Sequence, residues 1–311
     1  MIEPLSKNIQ DDFFCSQISR QIGEQLIATA TIAKNWLLLE YPFPWEGKAF
    51  EESNLPSNVK DFLSTILATI PQTRLQMIKK QNTKVTEGND FFVGVSQELQ
   101  PRIYEFHLNA YEDMLTIDIP ALFSGDEIYQ SFLRPDPLYL VCTNGKRDQC
   151  CAKFGFLTYT TMASYVGNSV WQSSHIGGHR FAPNVLCFPH GLSYGRVTDR
   201  KVETIIQTYG KGKLYLENYR GRTCYDKSIQ AAEYFLYQQG QTRDLDAYSF
   251  HKMQDISKNE WQVEFLGSNG SDMYRLQILK QPTNLSIRES CSATDEKIVS
   301  QYKLIQYQII S

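Results

Sequence analysis

The spacing of apolar residues divides the chain into helical and extended stretches. Ile18, Ile22, Leu26 and Ile27 recur at helical spacing and predict a first helix within residues 8–34. Trp36 to Tyr41 is an apolar run, with Glu40 its one charged residue, suited to a buried strand and stopped by Pro42 and Pro44. After Ser57, a natural cap, Val59, Phe62, Leu63, Ile66, Leu67 and Ile70 lie on one face of a second helix, which Pro71 ends. Arg74–Lys80 and Phe91–Val95 predict strands on either side of a polar loop around Glu87-Gly88-Asn89. Ile103–Ile119 alternates well enough for one or two more, and His107 within it reads as a surface or satisfied core residue.

Arg134-Pro135-Asp136-Pro137 interrupts any continuing element and marks a boundary. Beyond it the pattern predicts a buried strand over Leu138–Cys142, a polar loop over Thr143–Gln149, and a helix from Cys151 or Ala152 to Gly167. Val170–Ser174 is a further strand. Val185–Phe188 and Leu192–Val197 form a hairpin across Pro189-His190-Gly191, where His190 is expected in solvent. Asp199 caps a helix with Val202, Ile205, Ile206 and Tyr209 on one face, closed by Gly210. Asp226–Gln239 is another helix, with Ile229, Ala232 and Leu236 inward. Trp261–Leu266, Met273–Lys280 and Tyr302–Ile309 predict a small antiparallel sheet, its first two strands joined by the turn at Ser268–Asp272. The class is α/β. A strand-rich N-terminal half (1–135) supports a strand–helix–strand–hairpin–helix unit (136–240), followed by a C-terminal β appendage (241–311). No internal repeat is evident.

Composition narrows the function classes. A 42% hydrophobic fraction is ample for a packed core, and a net charge of −3 gives no electrostatic footprint for nucleic acid. No apolar run approaches the ~18 residues needed to span a bilayer. The polar, partly acidic stretch MIEPLSKNIQDDFF has neither a secretory nor a typical transit pattern, so a cytoplasmic protein without membrane contact is the expectation. The seven cysteines are an odd number without a secretory signal, which favours reduced thiols. Cys15, Cys187, Cys224 and Cys291 read as small buried hydrophobes.

Chemistry concentrates between Leu138 and Val197. Cys142 and Cys151 stand nine positions apart, and His175 and His179 flank Ile-Gly-Gly. Two thiolates and two imidazoles make a four-ligand metal site. The glycines imply a tight loop approached closely by other backbone. A thiolate at Cys151 benefits from a helix N-terminus, to which Lys146 and Arg147 add. Consecutive side chains at a helix start diverge by ~100°, so only one of Cys150 and Cys151 faces such a site. Zinc accepts these donors, although eight residues between the cysteines exceed the usual finger spacing.

CTNGKRDQCCA (142–152), WQSSHIGGHRF (171–181) and YGRV (194–197) together resemble the sucrase/ferredoxin-like family. The resemblance extends to WLLLEYPFPW (36–45) and RGRTCYDKSIQAAE (220–233). It implies a thioredoxin-like ferredoxin unit with a [2Fe–2S] cluster held by Cys142, Cys151, His175 and His179. Cys151 is then the ligand of the vicinal pair, with the cysteines on the inner iron and the histidines on the outer one. The implied activity is one-electron transfer between redox donor and acceptor proteins, as a carrier in preference to an enzyme. Histidine in place of thiolate raises the potential of such a cluster. Arg180 and Lys146 could favour the reduced form, or could be solvated surface charges. Two other classes fit the residues: a zinc-stabilised interaction module, and a thiol-based redox enzyme at Cys150-Cys151, although Cys-x-x-Cys is absent. No pair of carboxylates suggests a sugar hydrolase.

Overall fold

A computed structural model describes residues 14–81 and 88–310, so residues 8–13 of the expected first helix and most of the loop before Gly88 lie outside the described residues. Strand β1 (Asn35–Glu40) is buried along its whole length, as its apolar run requires. Helix α2 (Ser57–Thr69) crosses to the parallel strand β2 (Thr73–Lys79), and β3 (Asn89–Val95) and β4 (Arg102–Leu108) follow as antiparallel neighbours. The second half repeats this order. Strand β5 (Leu138–Cys142), helix α4 (Gln149–Val166) and the parallel strand β6 (Val170–Ser173) lead to β7 (Val185–Phe188) and β8 (Leu192–Tyr194). One nine-stranded sheet results, β4-β3-β1-β2-β6-β5-β7-β8-β9, with β9 spanning Tyr219–Arg222. Read outward from the antiparallel β2–β6 junction, both halves have the order second-first-third-fourth. This repeat leaves no trace in sequence periodicity, because topology constrains polarity patterns and not residue identity.

Helix α5 (Asp199–Gly210) packs on α4, and α6 (Lys227–Gln239) bridges β9 to a four-stranded antiparallel sheet. That sheet contains β10 (Tyr248–Ser257), β11 (Glu260–Gly267), β12 (Met273–Ile287) and β13 (Lys297–Ile310) in sequential order. Val263, Phe265, Leu276 and Ile278 bury against Ile229, Ala232 and Leu236 of α6, the inward face the sequence predicts. No helix among the described residues is long and apolar enough to cross a membrane.

Several expectations are corrected. Helix α1 covers only Cys15–Gln21. The chain turns at Gly23 (φ +69°), so Leu26 and Ile27 continue the spacing without the helix. Ile103–Ile119 holds one strand, β4. Asp113 then accepts from the N–H groups of Asn109 (2.8 Å) and Ala110 (3.1 Å), curling the chain into a 3₁₀ turn before the short helix α3 (Ile119–Ser124). Ser57 and Asp199 are first helical residues, with Pro56 and Thr198 at the caps. Strands β9 and β10 are additional. Tyr-Arg-Gly-Arg conceals β9 because its arginines are buried in pairs: Arg222 meets Glu233 at 2.9 Å, and Tyr219 donates to the same carboxylate at 2.6 Å.

Candidate metal centre

The centre forms where β5, the start of α4 and the loop after β6 meet. Asp148 caps α4 by accepting from Cys150 N–H at 2.9 Å. Gly155 lets the helix touch β5, since a Cβ there would lie 2.1 Å from the Cys142 carbonyl oxygen. Cys151 is thereby carried to Cys142, both fully buried. His175 Nδ1 stands 3.9 Å from Cys142 Sγ and 3.8 Å from Cys151 Sγ. These three donors lie within 4.8 Å of one another and could hold a metal ion.

His179 does not share that grouping, although its ring centroid is 5.0 Å from that of His175. Its Nδ1 is buried with no hydrogen-bond partner among the described residues, while Nε2 faces Asp148 Oδ2 at 3.9 Å. Burial lowers its pKa against the opposing pull of Asp148, which favours the neutral, metal-competent imidazole. At the thiols, the bond from Cys151 holds Cys142 well below the ordinary thiol range. The same contact and burial push Cys151 up. Together they hold one negative charge readily; a cation is needed for the second.

The loop between the histidines is tied at three successive carbonyls. Thr31 Oγ1 donates to Ile176 O (2.7 Å), Arg220 Nη1 to Gly177 O (3.2 Å), and Asn184 Nδ2 to Gly178 O (2.9 Å). Both glycines take positive φ, +92° and +73°, and a Cβ on either would sit 2.3 Å from Thr31 Oγ1 or Arg220 Nη2 respectively. The close approach expected from Ile-Gly-Gly is thus to Thr31 and a buried arginine. Arg220 also donates to Asn184 Oδ1 (2.8 Å), Thr29 O (2.6 Å) and Thr29 Oγ1 (3.0 Å). Burial lowers its pKa and the Cys142 and Cys151 thiols oppose that, but a guanidinium stays charged. Sequence reasoning missed Arg220 as a support; its signal was the Arg-Gly-Arg motif.

Other residues depart from expectation. Arg180 is engaged by Glu24 (2.8 Å) and Glu289 (3.6 Å), and Lys146 is exposed. His190 is half-buried, with Nδ1 2.8 Å from Tyr209 Oη, because the hairpin turn packs on α5 instead of pointing into water. His107 is exposed and pairs with Asp90 at 3.0 Å. Cys187 and Cys224 are packing residues, as expected; Cys15 is likewise fully buried in an apolar cluster with Cys291 partly buried against it, and these last two also offer donor atoms. With Cys150 and Asp148 they form a second group of donors.

A family model described as sucrase/ferredoxin-like matches residues 26–221, more than half of the chain. Curated relatives named "Altered inheritance of mitochondria protein 32" are also similar. The protein from Candida glabrata is 25% identical over 199 residues, 56% of this chain and 63% of the relative. That from Meyerozyma guilliermondii is 36% identical over 99 residues, 28% and 34% respectively. The one from Clavispora lusitaniae is 30% identical over 116 residues, 34% and 40%. The matches thus span less than two thirds of each relative's length. No solved structure matches the chain.

Proposed function

The chain belongs to the sucrase/ferredoxin-like family, and from that premise we propose that it is a one-electron carrier whose [2Fe–2S] cluster is held by Cys142, Cys151, His175 and His179. The observation carrying this reading is the arrangement of donors. Cys142, Cys151 and His175 converge, and the orphaned Nδ1 of His179 lies outside their 4.8 Å grouping. Ligands of one tetrahedral ion, at about 2.0–2.3 Å from it, stand only ~3.3–3.8 Å apart. His175 stands 3.8–3.9 Å from both thiols, a spacing that one ion also accepts, so the two-iron reading rests on the family and on His179 as a fourth donor outside that grouping. The β-α-β-β-β order from β5 to β8, followed by α5, supports a thioredoxin-like unit over residues 136–240.

When bound, the cluster supplies a single-electron couple, with a potential raised by exchanging two thiolates for neutral imidazoles. The chain does the rest. Cys142 and Cys151 are shielded in the core, and the Ile176 backbone N–H bonds to the Cys142 sulfur. Asp148 Oδ2 lies 3.9 Å from Nε2 of His179, beyond hydrogen-bond distance, and acts on it electrostatically. Arg220 places a buried positive charge behind the thiolates. The imidazole side opens outward, since His175 borders a groove of about 580 Å³ lined also by Lys48, Arg74, Asn144 and Arg147. Redox donor and acceptor proteins would exchange electrons at this edge.

Iron and acid-labile sulfide analysis of protein purified without oxygen tests the reading. Two irons and two sulfides per chain are expected, with a visible absorption spectrum that bleaches on reduction. Stoichiometric zinc at Cys142, Cys151, His175 and His179 without sulfide would support an interaction module and overturn the carrier.

A further inference from the structure

Behind the candidate metal centre lies a second donor group, three of whose members, the cysteines, this function does not use. Cys150 points away from Cys151 and His175, toward Cys15 of α1 and Cys291 in the connection between β12 and β13. The three sulfurs stand 3.6 Å (Cys15–Cys150), 3.2 Å (Cys150–Cys291) and 3.5 Å (Cys15–Cys291) apart. Asp148 completes the set, with Oδ1 3.2 Å from Cys291 Sγ and 3.9 Å from Cys15 Sγ. The separations exceed the ~2.05 Å of a disulfide and approach the ~3.8 Å edge of a tetrahedron of sulfurs around zinc. They are far too short to enclose a polynuclear cluster. Four donors, spaced as ligands around one ion would be, come from segments 135 and 141 residues distant in sequence.

The surroundings are built for thiolates and a bound carboxylate. Asp148 has a side chain only 1% exposed, and its two oxygens accept from the N–H groups of Cys150 and Cys291, each at 2.9 Å. Cys15 N–H points at Cys291 Sγ from 3.5 Å, and Ser16 bonds to the Cys150 sulfur. Phe14, Phe154 and Ala182 wall the group with apolar surface. Backbone N–H groups on ligand atoms are the outer shell expected of a structural metal site. Three thiolates select a soft or borderline ion, and the carboxylate favours zinc over copper(I).

We propose that Cys15, Cys150, Cys291 and Asp148 bind one structural zinc ion, closed to substrate by its four protein ligands. The ion fastens the N-terminal helix and the C-terminal sheet to the start of α4, directly behind the candidate metal centre. This assigns the vicinal cysteines to different sites, Cys151 to one and Cys150 to the other. Cys15 and Cys291 lie outside the residues that the family model matches, and the proposal is independent of what Cys142, Cys151, His175 and His179 hold.

Metal analysis of the full chain, expressed with iron and zinc and purified without oxygen, tests it. One zinc per chain is expected in the wild type. Cys291→Ser and, separately, Cys15→Ser should lose it while keeping their iron and sulfide. Cys142→Ser should lose iron and keep zinc, and if that first site proves to hold zinc instead, Cys291→Ser should still remove one of two zinc ions. Cobalt(II) added to zinc-stripped protein should give the intense visible bands of a tetrahedral thiolate complex, absent in Cys291→Ser. The proposal is overturned if zinc is retained in folded Cys291→Ser and Cys15→Ser proteins. It is equally overturned if wild-type protein takes up neither zinc nor cobalt here, or if intact mass shows a Cys150–Cys291 disulfide in anaerobically purified protein.

Discussion

Replacing Arg220 by methionine tests whether the loop between the histidines is held from behind. The side chain is 1% exposed and makes four hydrogen bonds, to Asn184 Oδ1, Gly177 O, Thr29 O and Thr29 Oγ1. Methionine fills similar volume but donates to none of them. A buried acceptor left without its donor costs about 1–3 kcal/mol, and losses within one network are not additive. With four acceptors losing a charged donor at once, a total of ~3–5 kcal/mol follows. With a urea m-value near 3 kcal/mol/M for a chain of this size, the unfolding midpoint should fall by roughly 1–2 M. Iron occupancy should fall with it, because Gly177 loses its anchor and the two imidazoles lose their relative position. Arg220→Lys keeps the charge but cannot reproduce the planar fork, and should land between wild type and methionine. Circular dichroism in urea and iron analysis on the same preparations suffice. A midpoint shift below about 0.3 M with iron unchanged would refute the argument that Arg220 supports the centre.

Cys151→Ser should lose iron and sulfide, whereas Cys150→Ser should keep both and lose zinc; the reverse pattern in metal analysis would exchange the two assignments. Gly178→Ala forces an L side chain to φ +73° and a Cβ to 2.3 Å from Arg220; left-handed strain alone costs ~1–2 kcal/mol, and unchanged thermal stability would contradict this geometry. His175→Cys, if the cluster is retained, adds a negative charge and should lower the reduction potential measured by potentiometric titration. Burial, with Arg222 assisting, lowers the pKa of His190 from 6.5 to about 4. The unfolded chain therefore binds the extra proton between those values, so stability is full above pH 6.5 and falls as pH drops toward 4, by ~2 kcal/mol at pH 5. His190→Gln should flatten that part of a stability–pH profile measured by urea unfolding.

Local rules made much of this protein readable. The apolar run of β1, the face of α2, the order β5-α4-β6-β7-β8-α5 and the inward face of α6 follow from periodicity and turn residues, since each depends on neighbours a few positions away. Cys142, Cys151 and His175, which the fold brings together, were legible as candidates for a similar reason: close spacing and the glycines advertise a loop of donors, although His179 stands outside that grouping. Three features depended on contacts that periodicity does not encode. The repeated strand order of the two halves is a property of topology, and no residue type reports it. Strand β9 looked polar because Arg220 and Arg222 find partners only after the chain has folded: Gly177, Asn184 and Thr29 for one, Glu233 for the other. Cys15 and Cys291, each isolated in sequence, become donors only when α1 and the β12–β13 connection close over α4. Sequence identified the residues capable of the chemistry, while long-range packing decided which of them meet, because a sulfur's role depends on what lies within 4 Å of it.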